Sequence, residues 1–298
     1  MPNFLIIGAP KAGTTSLYHY LDEHPQIYMS RHKEPRFFAF EGESNFRGHE
    51  VHRYKIVTDL DAYQKLFTKV TNETAIGEAS TWYLGSKKAP EKIKHYAPNI
   101  KLIAILRNPI ERAHSHYWHL YRKNLEPLNT FKKAIEAEER RMDCGWLPDW
   151  YYTTEGFYYR HLSRYMDLFS GDQIKVYLYE DFCSNPHYIL KDIFQFLEVS
   201  DDFLPDIGRK YNVTNVKKSK IIDQLINRPS KSKQVLGSFI NPKIKEQIRS
   251  MLTSYNVGSR PQKIPEESKE KLFQTFKDDI LQLQSLLNKD LSSWLSAD

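Results

Sequence analysis

Lys11, Gly13, Thr14 and Thr15 stand together directly after the apolar run Phe4 to Ile7 and directly before a helix-forming stretch. A turn between a buried strand and a helix is a good place for a phosphate. The free N–H groups of the first helical turn point at the anion, and the helix dipole favours negative charge. Gly13 lets the backbone approach without a Cβ in the way. The two threonine hydroxyls add donors, and Lys11 adds a full charge. The pattern is not the nucleoside-triphosphatase loop GxxxxGK[ST], because Thr14 occupies the lysine place and the lysine comes before the glycine. A second group of the same kind is Arg107-Asn-Pro-Ile-Glu-Arg-Ala-His-Ser115. A guanidinium fork at a strand end, with a hydroxyl about two turns along the next helix, clamps a terminal phosphate well. Arg107 also stands where a magnesium-holding aspartate would be expected, so the pattern predicts neutralisation by protein cations, with no metal. Taken singly, the first group also fits an ordinary tight turn, and the second a strand-end ion pair.

The elements that must position these residues follow from hydrophobic patterning. Phe4 to Ile7, Lys101 to Leu106 and Ile174 to Tyr179 read as buried strands. Each is followed by a helix: Thr14 or Thr15 (either able to cap it) to about His24, Ile110 to Lys123, and Tyr188 to Leu197. Buried strands alternating with helices predict an α/β fold, three layers with a central parallel sheet flanked by helices. Such sheets bind ligands beyond the carboxyl ends of their strands, where Lys11 and Arg107 both fall. Phe131 to Arg141 reads as an exposed charged helix, Gly156 to Phe169 has helical spacing, and Pro265 to Leu295 reads as a long amphipathic helix. With no firm boundary, residues 1–298 are expected to form one domain, its 213–298 part helical and a possible lid.

Composition narrows the classes. The 298 residues carry 43 Lys plus Arg against 37 Asp plus Glu, a net charge of +6. That mild excess suits an anionic ligand but lacks the concentrated stripe of a nucleic-acid binder. Cys144 and Cys183 form no CxxC pair, which argues against a thiolate zinc site and fits a reducing compartment. No apolar run is long enough for a membrane span. The expectation is a soluble, cytoplasmic protein without nucleic-acid or membrane partners; oligomeric state is not readable.

The two phosphate groups together resemble the sulfotransferases that use 3′-phosphoadenosine 5′-phosphosulfate (PAPS). KAGTT at 11–15 is similar to their 5′-phosphosulfate loop, and LRNPIERAHSHY at 106–117 to their 3′-phosphate motif. HPQI at 24–27, KEPRFF at 33–38, GEASTWYL at 77–84 and YLYEDF at 177–182 extend the likeness, in order, across most of residues 3–200. The closest flavour is the group holding the heparan-sulfate enzymes and bacterial homologues. The resemblance implies a P-loop-like fold and a metal-free, in-line sulfuryl transfer. Lys11 would steady the leaving 5′-phosphate oxygen, and the N–H groups of Ala12, Gly13, Thr14 and Thr15 would hold that phosphate. Arg107 and Ser115 would hold the 3′-phosphate, and Trp82 would lie near the adenine. Glu34 matches the family's catalytic glutamate. Glu78 is the other candidate base and a substrate contact, although Ala79 replaces the lysine that follows it in the heparan-sulfate group. Arg209 and Lys210 fall where the family has a basic loop closing on the cofactor.

The acceptor implied is a small molecule or a saccharide, sulfated on oxygen or nitrogen. The aromatic stretch 146–159 reads either as a stacking wall for it or as core. His114, His116 and His119 read mainly as surface or packing histidines. Residues 217–233, with six Lys or Arg and one Asp, read as a solvated loop or a lid over an anion. Two other functions stay open: a nucleotide kinase with an altered phosphate loop, and a non-catalytic sensor of adenine nucleotides.

Overall fold

The computed structural model describes residues 1–208 and 263–296. Its strands are β1 (Phe4–Gly8), β2 (Ile27–Met29), β3 (Ala75–Ala79), β4 (Lys101–Leu106) and β5 (Ile174–Leu178). They form one sheet in the order β2-β3-β1-β4-β5, and every neighbouring pair is parallel. A parallel sheet is covered on both faces, so its strands carry near-continuous apolar runs. All of β1 is buried, and β4 is buried from Leu102 to Leu106. The expected α/β fold with a central parallel sheet is therefore present. The chain builds to one side of β1 and then to the other, which makes the carboxyl ends of β1 and β4 the switch point where a crevice opens.

The helices that matter most follow those two strands. Helix α1 (Thr14–Asp22) starts at Gly13, whose φ of 86° is left-handed. Neither threonine caps it, contrary to the expectation. A Cβ on Gly13 would also meet the rings of Phe182 and Tyr179 at 3.2–3.3 Å. Conformation and crowding therefore both favour glycine. After α2 (Phe37–Phe40), α3 (Leu60–Gln64) and α4 (Ala89–Tyr96) comes α5 (Pro109–Arg122). Proline fills its first position, and Asn108 caps it by accepting from the N–H groups of Ile110 and Glu111.

The predicted exposed helix at 131–141 is instead two short ones, α6 (Phe131–Glu136) and α7 (Glu138–Asp143). Glu138 is buried because its carboxylate accepts from the N–H groups of Thr153 and Thr154, and Arg141 is buried against Glu126. Then come α8 (Tyr158–Met166), α9 (Tyr179–Ser184), α10 (Pro186–Phe196) and the C-terminal α11 (Glu266–Leu287). Leu272, Phe276, Ile280 and Leu283 of α11 join the same core as the sheet. Asp279 accepts from the N–H groups of Tyr159 and Arg160, so α11 caps α8. Leu291 and Trp294 are buried beyond its end. Arg209, Lys210 and the basic stretch 217–233 lie outside the described residues.

Candidate active site

A cleft of 1160 Å³ lies at the carboxyl ends of β1 and β4. Pro10, Lys11, Gly13, Thr14, Thr15 and Ser16 line it from the loop after β1 and the start of α1, while Arg107, Ser115 and His119 line it from the end of β4 and from α5. The two phosphate groups of the sequence therefore face one space. Ala12 does not join them. It is fully buried, and its N–H is taken by the carbonyl of Ala9 at 3.2 Å. Ser16 lines the cleft instead.

Lys11 has a left-handed φ of 71°, and its Nζ lies 3.3 Å from His119 Nδ1. While Lys11 is protonated its ammonium can only donate, and in that state Nδ1 accepts and the ring proton sits on Nε2. Desolvation, then the positive fields of Arg122, Lys123, Arg107 and Lys33, lower the Lys11 pKa to about 7. Burial and the charge of Lys11 push His119 far below the usual histidine range. The reading of His119 as a surface or packing residue is thus corrected: it is the partner of the lysine. A signal was present, since Ser115 and His119 are four apart and share a helix face.

Arg107 donates from Nε (3.1 Å) and Nη2 (2.6 Å) to Glu111 Oε2, and its guanidinium lies 4.8 Å from the ring centroid of Tyr179. Two of its five N–H groups are used, and the others remain for a ligand. Tyr179 and Phe182 line the same end of the cleft.

Glu34 lines the same cleft, also with a left-handed φ (61°). Oε2 accepts from the Thr81 N–H at 2.9 Å, and Oε1 accepts from the Thr81 hydroxyl at 3.0 Å and from Lys33 Nζ at 3.3 Å. Its neighbour Arg36 is buried in a two-pronged pair with Asp149 (2.8 and 3.0 Å) and lies over the rings of Tyr54 and Trp82. Trp82 lines the cleft with 4% of its surface exposed, its ring 5.4 Å from that of His116. Trp82 thus packs between Arg36 and His116, while Tyr179 and Phe182 supply aromatic surface beside Gly13.

Glu78 is elsewhere. It is wholly buried in β3 and accepts from the Tyr63 hydroxyl at 3.1 Å. Desolvation raises its pKa to about 7. With no exposed surface and no place in the cleft lining, it does not meet the expectation of a substrate contact. The stretch 146–159 likewise packs inward. Trp150, Tyr152 and Tyr158 are fully buried, and only Asp149 of that stretch reaches the cleft. Cys144 and Cys183 are free and exposed.

Comparison with known proteins fits this geometry. The family model described as "Sulfotransferase family" matches residues 2–202, and the chain belongs to that family. A solved sulfotransferase from Alicyclobacillus acidocaldarius is 32% identical, with a TM-score of 0.76 over 99% of both chains. Mouse bifunctional heparan sulfate N-deacetylase/N-sulfotransferase 4 is 29% identical over 214 residues, covering 68% of this chain but 23% of that protein. Mouse carbohydrate sulfotransferase 15 is 27% identical, covering 67% and 44%. The chain thus spans less than half the length of these curated relatives. Mouse sulfotransferase SULT7A1, solved with PAP, shares the fold at 15% identity and a TM-score of 0.51. Among the described residues, no helix is long and apolar enough to cross a membrane.

Proposed function

We propose that this chain transfers a sulfuryl group from PAPS to a hydroxyl or amine of a small-molecule or saccharide acceptor. The observation that carries the reading is the convergence of Lys11 with the Gly13–Ser16 turn, Arg107 with Ser115, and Glu34 on one cleft. The acceptor oxygen or nitrogen attacks sulfur, and the bond from sulfur to the 5′-phosphate oxygen breaks. Lys11 stabilises the charge growing on that oxygen, and the N–H groups that open α1 hold the same phosphate. Arg107 and Ser115 take the 3′-phosphate. Glu34, held by Thr81, receives the acceptor's proton. His119 holds the ammonium of Lys11 by a hydrogen bond. The family membership favours this over a nucleotide kinase. The two free cysteines fit a reducing compartment, and we take that to be the cytoplasm.

The test is calorimetric titration with 3′-phosphoadenosine 5′-phosphate in the presence of chelator, with 5′-AMP as control, followed by transfer of label from PAPS. Metal-free binding that needs the 3′-phosphate is expected. Binding without any transfer across an acceptor panel favours a nucleotide sensor. Binding of neither nucleotide removes the proposal.

A further inference from the structure

Beyond the residues assigned to the donor's phosphates, the cleft is lined by further cations. Lys33, Arg53, Lys55 and Lys123 line it together with Tyr54, Leu120 and Leu125. Lys33 is paired with Glu34. Among the described residues, Arg53, Lys55 and Lys123 have no carboxylate within ion-pair distance. Asp149, the other acid in the lining, is occupied by Arg36. Arg53 is tied to the end of α5, where its Nη1 donates to the Lys123 carbonyl at 2.9 Å. Lys123 feels its neighbours, since desolvation and then Arg53, Lys33 and Arg122 lower its pKa. Like charges gathered in a concavity repel one another unless an anion sits among them.

We propose that Arg53, Lys55 and Lys123 form an anion subsite for the acceptor, so that the substrate carries a fixed carboxylate or phosphate besides the group that is sulfated. This rests on the reading of the cleft as a PAPS site. That reading assigns the donor's anions to Lys11, the start of α1, Arg107 and Ser115. The remaining cations share the cleft with Glu34, the proposed proton acceptor.

The experiment is calorimetry on protein first saturated with 3′-phosphoadenosine 5′-phosphate. Glucose 6-phosphate, glucuronate and glucose are then titrated separately. Saturable binding of either anion, at least tenfold tighter than glucose, is expected, and the tighter anion identifies phosphate or carboxylate as the source. The triple variant Arg53→Ala/Lys55→Ala/Lys123→Ala should lose that binding at least tenfold. Removing three cations away from the cleft (Lys65→Ala/Lys69→Ala/Lys277→Ala) should not. Equal binding of glucose, no binding of either anion, or equal loss in both triple variants overturns the subsite while leaving the donor site standing. Failure of the first, nucleotide step removes the donor reading and the subsite with it.

Discussion

Donor binding should take up a proton at Lys11. Desolvation and nearby cations hold this lysine at a pKa of about 7 in the empty cleft. A bound phosphate group beside the ammonium offsets both the desolvation and the neighbouring cations, and so stabilises the charged form. With the bound pKa back near the ordinary value of about 10.4, only the protonated fraction of the free protein is ready to bind. That fraction is about one tenth at pH 8, so binding there should draw in about 0.9 proton. Affinity for 3′-phosphoadenosine 5′-phosphate should then weaken about 25-fold between pH 7.5 and 9.0, or about 2 kcal/mol. The nucleotide's own phosphates add little to this slope, because their second ionisation lies at about 6. The assay is calorimetry in pairs of buffers with different ionisation heats, whose difference reads proton uptake directly. Lys11→Arg is the control, since a guanidinium stays charged throughout this range and should give near-zero uptake. Uptake below about 0.2 proton at pH 8, with affinity flat to pH 9, would refute the electrostatic argument. A slope retained in Lys11→Arg would move the titration to another group.

Glu34→Gln should lower turnover about 10²-fold or more while leaving nucleotide affinity within about twofold, because its carboxylate faces the wall of Thr81 and not the phosphate turn; unaltered turnover would remove it from the proton-accepting role. Arg107→Ala should weaken 3′-phosphoadenosine 5′-phosphate about 10- to 100-fold and 5′-AMP hardly at all, so competition titrations with the two nucleotides should converge. Asp149→Ala should cost about 3–5 kcal/mol in denaturant melts, since it strands the buried Arg36 guanidinium. Glu78 has a folded pKa of about 7, above its unfolded value. The native state therefore binds the extra proton, and this contribution to stability is full below about pH 4.3 and lost as pH rises through 7. Glu78→Gln should flatten that loss in melts at pH 5 and pH 8, gaining up to about 3 kcal/mol at the higher pH, with turnover little changed. A large fall in turnover without a fall in stability would return Glu78 to the chemistry.

Three strands and the turns after two of them were legible because β1, β4 and β5 are apolar runs that end in charged or glycine-bearing turns. Strands β2 and β3 were not. Ile27–Met29 is apolar throughout but only three residues long, and Ala75–Ala79 is interrupted by Gly77 and Glu78, so neither stands out as a strand. Glu78 misled for the same reason. On sequence it is a carboxylate in a motif, and only the packing of Tyr63 over that face of β3 shows that it is buried. The aromatic stretch 146–159 was ambiguous because a stacking wall and a core have the same composition. Its burial is decided by α5 and α11, elements distant in sequence.

What no pattern could show is how Lys11, Glu34 and Arg36 are aimed. All three are left-handed, with φ of 71°, 61° and 60°. For a residue with a Cβ this conformation costs about 1–2 kcal/mol, so each must be held by its surroundings. Two holdings are visible. The Glu34 N–H donates to the Ala79 carbonyl at 2.9 Å, and the Arg36 N–H donates to Ser80 Oγ at 2.9 Å. Both partners lie at the end of β3, so the strand that hides Glu78 also fixes the wall that presents Glu34. On the other side, the N–H of Ala9 donates to the Ile105 carbonyl at 2.7 Å, which ties the Lys11 turn to β4. The cation and the carboxylate thus stand on separate loops, each anchored to the parallel sheet. Neither has the other as its ion-pair partner: Lys11 is held by His119, and Glu34 by Thr81 and Lys33. That separation suits the in-line transfer we propose, because a direct Lys11–Glu34 pair would occupy the space where leaving and attacking atoms must lie on opposite sides of sulfur.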